Sequence, residues 1–248
     1  MDGIRNIKLT LAYEGTHYSG WQRQSEDVTV QAVIEEKIGL MVGDPVTLIA
    51  SGRTDAGVHA LGQVCNFRSG TRIGLEELKK GLNSLLPDDI FIKEAEDVPL
   101  EFHSRYDAKG KTYEYRILNR EEPDIFKRNF LWHIRYPLDL EGMSGCLAML
   151  EGTHDFSSFR SQGSGNIDPV RTIHRARFTG PGEGRLTIVM EANGFLRHMV
   201  RNIVGTLVEV GKGRRHLEDF REILELRDRG MAGVKAPPQG LFLVRVKY

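Results

Sequence analysis

The stretch Ser51-Gly52-Arg53-Thr54-Asp55-Ala56-Gly57-Val58-His59-Ala60 gathers a guanidinium, a hydroxyl, a carboxylate and an imidazole within ten residues, with glycines at two of the turns. An arginine two residues before a carboxylate, on a tight turn, favours the ionised form at neutral pH by charge pairing. An ionised, exposed carboxylate is a nucleophile or a base. The same pattern also suits a purely structural turn, in which Thr54 or Asp55 accepts a hydrogen bond from neighbouring backbone. The residues by themselves leave both readings open.

Further chemistry-bearing groups lie along the chain. Tyr18-Ser19-Gly20-Trp21-Gln22-Arg23-Gln24 combines aromatic and amide side chains, which suits either stacking on unpaired bases or anchoring the loop on a core. Tyr113 and Tyr115 share one face of an alternating segment, as core residues or as a stacking surface. His154-Asp155 suits a catalytic pair or, more commonly, a structural hydrogen bond. Arg171, His174, Arg175 and Arg177 form a basic run suited to phosphates, and Arg105 and Lys109 add to it. Arg197 and Arg201 are four apart in an apolar segment, where a buried arginine needs a carboxylate partner; Asp55 is the candidate for Arg201.

The elements that must position these groups follow from periodicity. Ile7–Tyr13 alternates as a strand. Thr29 is a candidate N-cap for a helix through Met41, which Gly43-Asp44-Pro45 stops. Val46–Ala50 and Gly62–Phe67 read as strands flanking the Asp55 loop, Leu75–Leu86 as an amphipathic helix, and Ile90–Ala95 as a strand. The first hundred residues thus run β-α-β-β-α-β. Strands are expected around Tyr113, over Pro169–Phe178, over Leu186–Ala192 and after Gly240; helices over Leu138–Leu150, Phe195–Val210 and Leu217–Arg229. Ser161–Asn166 reads as a surface loop by composition.

Composition narrows the function classes. The 248 residues carry 34 Lys+Arg against 34 Asp+Glu, so any nucleic-acid binding must come from local patches. Hydrophobic content of 40% and charged content of 27% are those of a globular protein. No apolar run approaches the ~20 residues of a membrane helix. No secretory leader is expected, and Cys65 and Cys146, flanked by apolar residues, read as buried free thiols in a reducing cytoplasm, with a single disulfide as the alternative. Neither zinc-type Cys/His spacing nor a Walker or dinucleotide fingerprint occurs, so no metal and no cofactor are expected.

The Ser51–Ala60 stretch with Gly62-Gln63-Val64 and Phe67 resembles the active-site signature of the TruA family of tRNA pseudouridine synthases. The likeness continues in order through Gly20-Trp21-Gln22, Phe102 to Tyr115, Gly152 to Phe156, Asn193 to Arg201 and Pro237 to Leu241, with Ser104 and Gly194 where alanine is usual. It implies an α+β fold of two similar halves, each a mainly antiparallel sheet with helices on one face (RRM- or ferredoxin-like). An active-site cleft would lie between the halves, residues 1–105 and 106–248. It implies Asp55 as the essential carboxylate, attacking sugar or base or taking a proton from the sugar, with Arg53 beside it and Arg201 as its partner. Tyr113 would stack on the uracil and Leu241 line its pocket. Trp21, Gln22, Arg105, Lys109, Arg171 and Arg175 are candidate tRNA contacts. The implied targets are uridines near positions 38–40 of the anticodon stem-loop, and the implied assembly is a homodimer. Two alternatives remain: a non-catalytic structured-RNA-binding protein, or a hydrolase pairing Asp55 with His59 or His154.

Overall fold

A computed structural model describes residues 3–161 and 168–248. The glycine- and serine-rich positions 162–166, read above as a loop, lie outside the described residues. The chain forms two compact units, residues 1–109 with 242–248, and residues 110–241.

In the first unit the order is β1 (Arg5–Tyr13), α1 (Val30–Val42), β2 (Ile49–Ala50), β3 (His59–Ser69), α2 (Leu75–Leu85) and β4 (Ile90–Val98), the expected β-α-β-β-α-β. β1 lies between β4 and β3, antiparallel to both. Its alternation puts Ile7, Leu9 and Leu11 in the core, with Ile34 and Ile38 of α1 and Leu78 and Leu82 of α2 also fully buried. Each such side chain contributes about 1.5–3 kcal/mol relative to exposure. Thr29 caps α1 through its hydroxyl, which accepts from the Ala32 N–H at 3.4 Å.

The strand expected over Val46–Ala50 is cut to two residues. The Leu48 N–H donates to the buried Glu35 carboxylate at 2.7 Å, and the Leu48 carbonyl accepts from Gln31 Nε2 at 3.3 Å. Side chains of α1 satisfy the backbone there, so no ladder is needed. β3 is longer than expected and buried on both faces. Its polar members are internally satisfied: Gln63 bonds Ser51 and Gly52, and Asn66 donates to Asn6 Oδ1 at 2.9 Å.

The sequence division at 105/106 leaves the closing strand in the second half. In the structure β10 (Leu241–Lys247) runs parallel to β3, with Phe242 opposite His59 and Leu243 opposite Ala60. Gly62 permits that approach, since a Cβ there would sit 2.5 Å from the Val244 carbonyl oxygen.

The second unit holds β5 (Gly110–Asn119), β6 (Trp132–Ile134), α3 (Leu140–Met149), β7 (Gly152–Asp155), β8 (Val170–Gly182), β9 (Arg185–Ala192), α4 (Met199–Gly211) and α5 (Leu217–Leu226). β9 lies antiparallel between β5 and β8, and β7 flanks β8. The three helices pack on one another around Met143, Cys146, Leu147, Ile203, Leu207, Phe220 and Ile223. The sequence did not foretell β6 or β7, and two expected helices change their bounds, α5 ending at Leu226 rather than Arg229. β6 was unforeseen because three residues carry no readable period. α4 begins at Met199 rather than Phe195: Asn193 exchanges bonds with the Thr172 backbone, and His198 enters the helix at φ 63°. Arg197 is therefore exposed and off the helix, and does not share a helical face with Arg201. Both cysteines are buried and free; burial pushes the Cys146 thiol up to about 11 and Cys65 higher still.

Candidate active site

The loop between β2 and β3 is built from the backbone outward. The Trp21 N–H donates to the Thr54 carbonyl at 3.1 Å, and the Val58 N–H to the Asp55 carbonyl at 3.1 Å. Gly20, at φ 90°, lets the two chain segments touch: a Cβ there would lie 2.6 Å from the Thr54 oxygen. Below the loop the Thr54 hydroxyl bonds the Tyr13 phenol at 2.7 Å, and Ser51 donates to Gln63 Oε1 at 2.7 Å. Thr54 and Ser51 are buried, Asp55 is half-buried and Arg53 is exposed. The carboxylate thus sits on a clamped turn with solvent access, a geometry suited to a nucleophile or base.

His59 is held inside the fold. It is 1% exposed, its Nδ1 accepts from the Gly15 N–H at 3.0 Å, and its ring stacks on Phe242 at 4.6 Å. His154 and Asp155 point to different partners. His154 Nε2 donates to the Glu151 carbonyl at 3.0 Å, while Asp155 accepts from the Ser157 N–H at 2.9 Å and pairs with Arg227 at 3.4 Å. His154 therefore lends no support to the hydrolase reading.

Trp21 corrects one expectation. It is 1% exposed and its ring packs 5.9 Å from Tyr13, so it anchors the loop and offers no face to a base. Tyr18 is likewise buried, its phenol donating to Asp89 at 2.6 Å. Gln22 is half-buried beside them. Arg105 and Lys109 are exposed. Arg105 leads out of a segment fixed by Asn66, whose Oδ1 accepts from the Ser104 N–H at 2.9 Å, and its guanidinium lies 5.8 Å from the Tyr106 ring.

In the second unit Tyr113 faces Met190 across the β5–β9 ladder and meets the edge of Phe195 at 5.0 Å. Arg201 lies in the first turn of α4, 7% exposed, with its Nε donating to the Ala236 carbonyl at 2.8 Å. Leu241 is buried at the end of the segment that follows Ala236. Arg175 is exposed on β8 opposite Glu191, and Arg171 is tied to its own loop through the carbonyls of Asp168 and Val170. Tyr13 was missed by sequence reasoning, and Tyr115 was read only as core or stacking surface, because a tyrosine in an alternating strand gives no sign of the bond its phenol makes. The Tyr115 phenol donates to the Pro237 carbonyl at 2.7 Å. Burial pushes its pKa far up, partly offset by the Arg201 charge. Among the described residues no three His, Cys, Asp or Glu side chains group as metal ligands, and no helix is long and apolar enough to cross a membrane.

Comparison with known proteins gives the family. A family model described as tRNA pseudouridine synthase matches residues 10–107 and 147–248. The tRNA pseudouridine synthase A of Thermoanaerobacter sp. (strain X514) is 47% identical over 245 residues, covering 99% of this chain and all of the relative. That of Geobacillus sp. (strain WCH70) is 45% identical over 98% of both chains, and that of Clostridium acetobutylicum 44% identical over 99% of this chain. Matched along nearly its whole length, with the clamped Asp55 loop and the Arg201 helix both inside the matched ranges, the chain belongs to the tRNA pseudouridine synthase family, enzymes of the isomerase class.

Proposed function

We propose that this enzyme converts uridine to pseudouridine in the anticodon stem-loop of tRNA, around positions 38–40, with Asp55 as the essential carboxylate. The N1–C1′ bond breaks, the base turns, a C5–C1′ bond forms, and the C5 proton leaves while N1 gains one. No redox partner is required. The base must leave its stack to be handled, at a cost of about a few kcal/mol. Asp55 attacks the sugar or the base, or removes a sugar proton; Arg53 and Arg201 supply positive charge to it, Arg201 as its direct partner. Tyr113 stacks on the uracil and Leu241 closes the pocket. Gln22, Arg105, Lys109, Arg171 and Arg175 hold the RNA. The enzyme works in the cytoplasm as a homodimer.

The observation that carries the reading is the clamped turn: a solvent-reachable carboxylate whose main chain is fixed by Trp21, within the range 10–107 that the family model matches. The test uses tRNA tritiated at uridine C5. Wild type should release tritium, and Asp55→Asn, which keeps size but loses charge, should release none while still binding tRNA. Multiple turnover by Asp55→Asn would remove the assignment, and mapping the product sites checks positions 38–40. A monomer in analytical ultracentrifugation would remove the homodimer.

A further inference from the structure

Residues 232–240 run as a strap along one face of α4, and nearly every step is fastened. The Gly233 N–H donates to the Thr206 hydroxyl at 3.0 Å, and that hydroxyl donates to the Asn202 carbonyl at 2.8 Å. The Val234 N–H donates to Glu209 Oε1 at 3.2 Å; the other Glu209 oxygen accepts from Arg215 at 2.5 Å. Ala236 and Arg201 exchange two bonds: Ala236 N–H to the Arg201 carbonyl at 3.0 Å, and Arg201 Nε to the Ala236 carbonyl at 2.8 Å. The Tyr115 phenol then takes the Pro237 carbonyl at 2.7 Å.

Arg201, Gly205 and Glu209 are spaced four apart, so they line one stripe of the helix, with Thr206 beside it. Gly205 is required by the fit: a Cβ there would sit 1.7 Å from the Val234 oxygen. At the far end Gly240 lies flat against Tyr115, where a Cβ would meet the ring at 2.7 Å, and Leu241 follows directly. Thr206 is fully buried, and the strap backbone at Gly233 and Ala236 is buried with it. One main-chain segment therefore sets the Arg201 guanidinium at its middle and the Leu241 side chain at its end.

We infer that Thr206, Glu209 and Tyr115 are positioning residues for the isomerisation: acting through the strap, they aim Arg201 and place Leu241. This rests on the roles given to Arg201 and Leu241 above. Thr206→Val keeps the branched shape and deletes the hydroxyl that receives Gly233; Tyr115→Phe keeps the ring and frees the Pro237 carbonyl. Losing one buried hydrogen bond of this kind should slow single-turnover isomerisation about five- to thirtyfold, with tRNA affinity unchanged. Thr206→Ser, which restores the acceptor, should recover most of the rate.

The decisive comparison places the same substitutions in an Arg201→Lys enzyme. If the strap acts by aiming the guanidinium, Thr206→Val costs distinctly less there, because coupled residues are not additive. Equal cost in both backgrounds, wild-type rates in both variants, or a loss that Thr206→Ser does not recover would overturn the inference. Wild-type turnover by Arg201→Met would instead overturn the role of Arg201 itself, which keeps the two failures apart.

Discussion

In the loop that carries Asp55, the Thr54 carbonyl is held by a main-chain donor, Trp21 N–H, and the close approach is licensed by Gly20. Along α4 the strap beside Arg201 is held mostly by side chains, those of Thr206, Glu209 and Tyr115. Both regions need a glycine where backbone crosses backbone, Gly20 under the Thr54 oxygen and Gly205 under the Val234 oxygen. They differ in what a substitution can reach. The main-chain anchor at Thr54 survives most side-chain changes and fails when a Cβ intrudes, while the loop's side-chain ties, Thr54 to Tyr13 and Ser51 to Gln63, lie beneath it. A strap tied by hydroxyls and carboxylates can be loosened one tie at a time.

The largest expected effect tests whether the two regions serve one reaction. Arg201→Met should cut turnover by more than about 100-fold, the scale of removing one preorganised electrostatic contact. With the proposed partner gone, the Asp55 carboxyl should rise in pKa, so the acidic limb of the pH–rate profile moves to higher pH. An unmoved limb would separate the regions chemically. Next in size, Gly20→Ala should lower the rate at least about tenfold and cost roughly 1–3 kcal/mol of stability, because the Cβ meets a carbonyl at positive φ. Thermal melting and tritium release on the same sample check it; a neutral Gly20→Ala would show that the loop yields more easily than the strap.

A smaller effect concerns how each unit meets RNA. Charge reversal at Arg171 or Arg175 on β8 should weaken tRNA binding several-fold and flatten its salt dependence, whereas reversal at Lys79 or Lys80 on α2 should not. Equal effects would mean that no localised groove exists. The smallest effect touches both regions alike. Tyr13 beneath the loop and Tyr115 beneath the strap have pKa values raised from 10.0 by burial. Above pH 10 the unfolded phenols ionise while the folded ones stay neutral, so their stability contribution is complete below pH 10 and declines as pH rises beyond it. Tyr13→Phe and Tyr115→Phe should each flatten the alkaline fall in melting temperature.

Sequence reading succeeded where period or cap chemistry dominates, as in β1, α1 with its Thr29 cap, and α2. It failed where tertiary partners replace regular structure. Glu35 and Gln31 captured the Leu48 backbone and shortened β2; Asn193 captured Thr172 and delayed α4 to Met199. At the candidate site the local motif around Asp55 was readable because its residues are consecutive. The Tyr13 and Tyr115 phenols and the Thr206 tie were not, since each acts on backbone far away in the chain. The burial of Trp21 turned on the same point: an aromatic in a polar loop gives no sign of which way it faces.

The parallel pairing of Phe242 and Leu243 with His59 and Ala60 also constrains the order in which the protein is born. A parallel pair requires a crossover connection, and here residues 70–240, the second unit's strands and helices among them, supply it. On the ribosome, the sheet edge just beyond the Asp55 loop must wait until the second unit has been synthesised before its neighbouring strand emerges. The nascent first unit therefore carries an open edge at His59 and Ala60, a site where chaperones or misdirected strands have access. The Asp55 loop has its own clamps, from Trp21 and Tyr13, before the strand that covers its outgoing edge is made, so an interrupted chain keeps the loop without that cover.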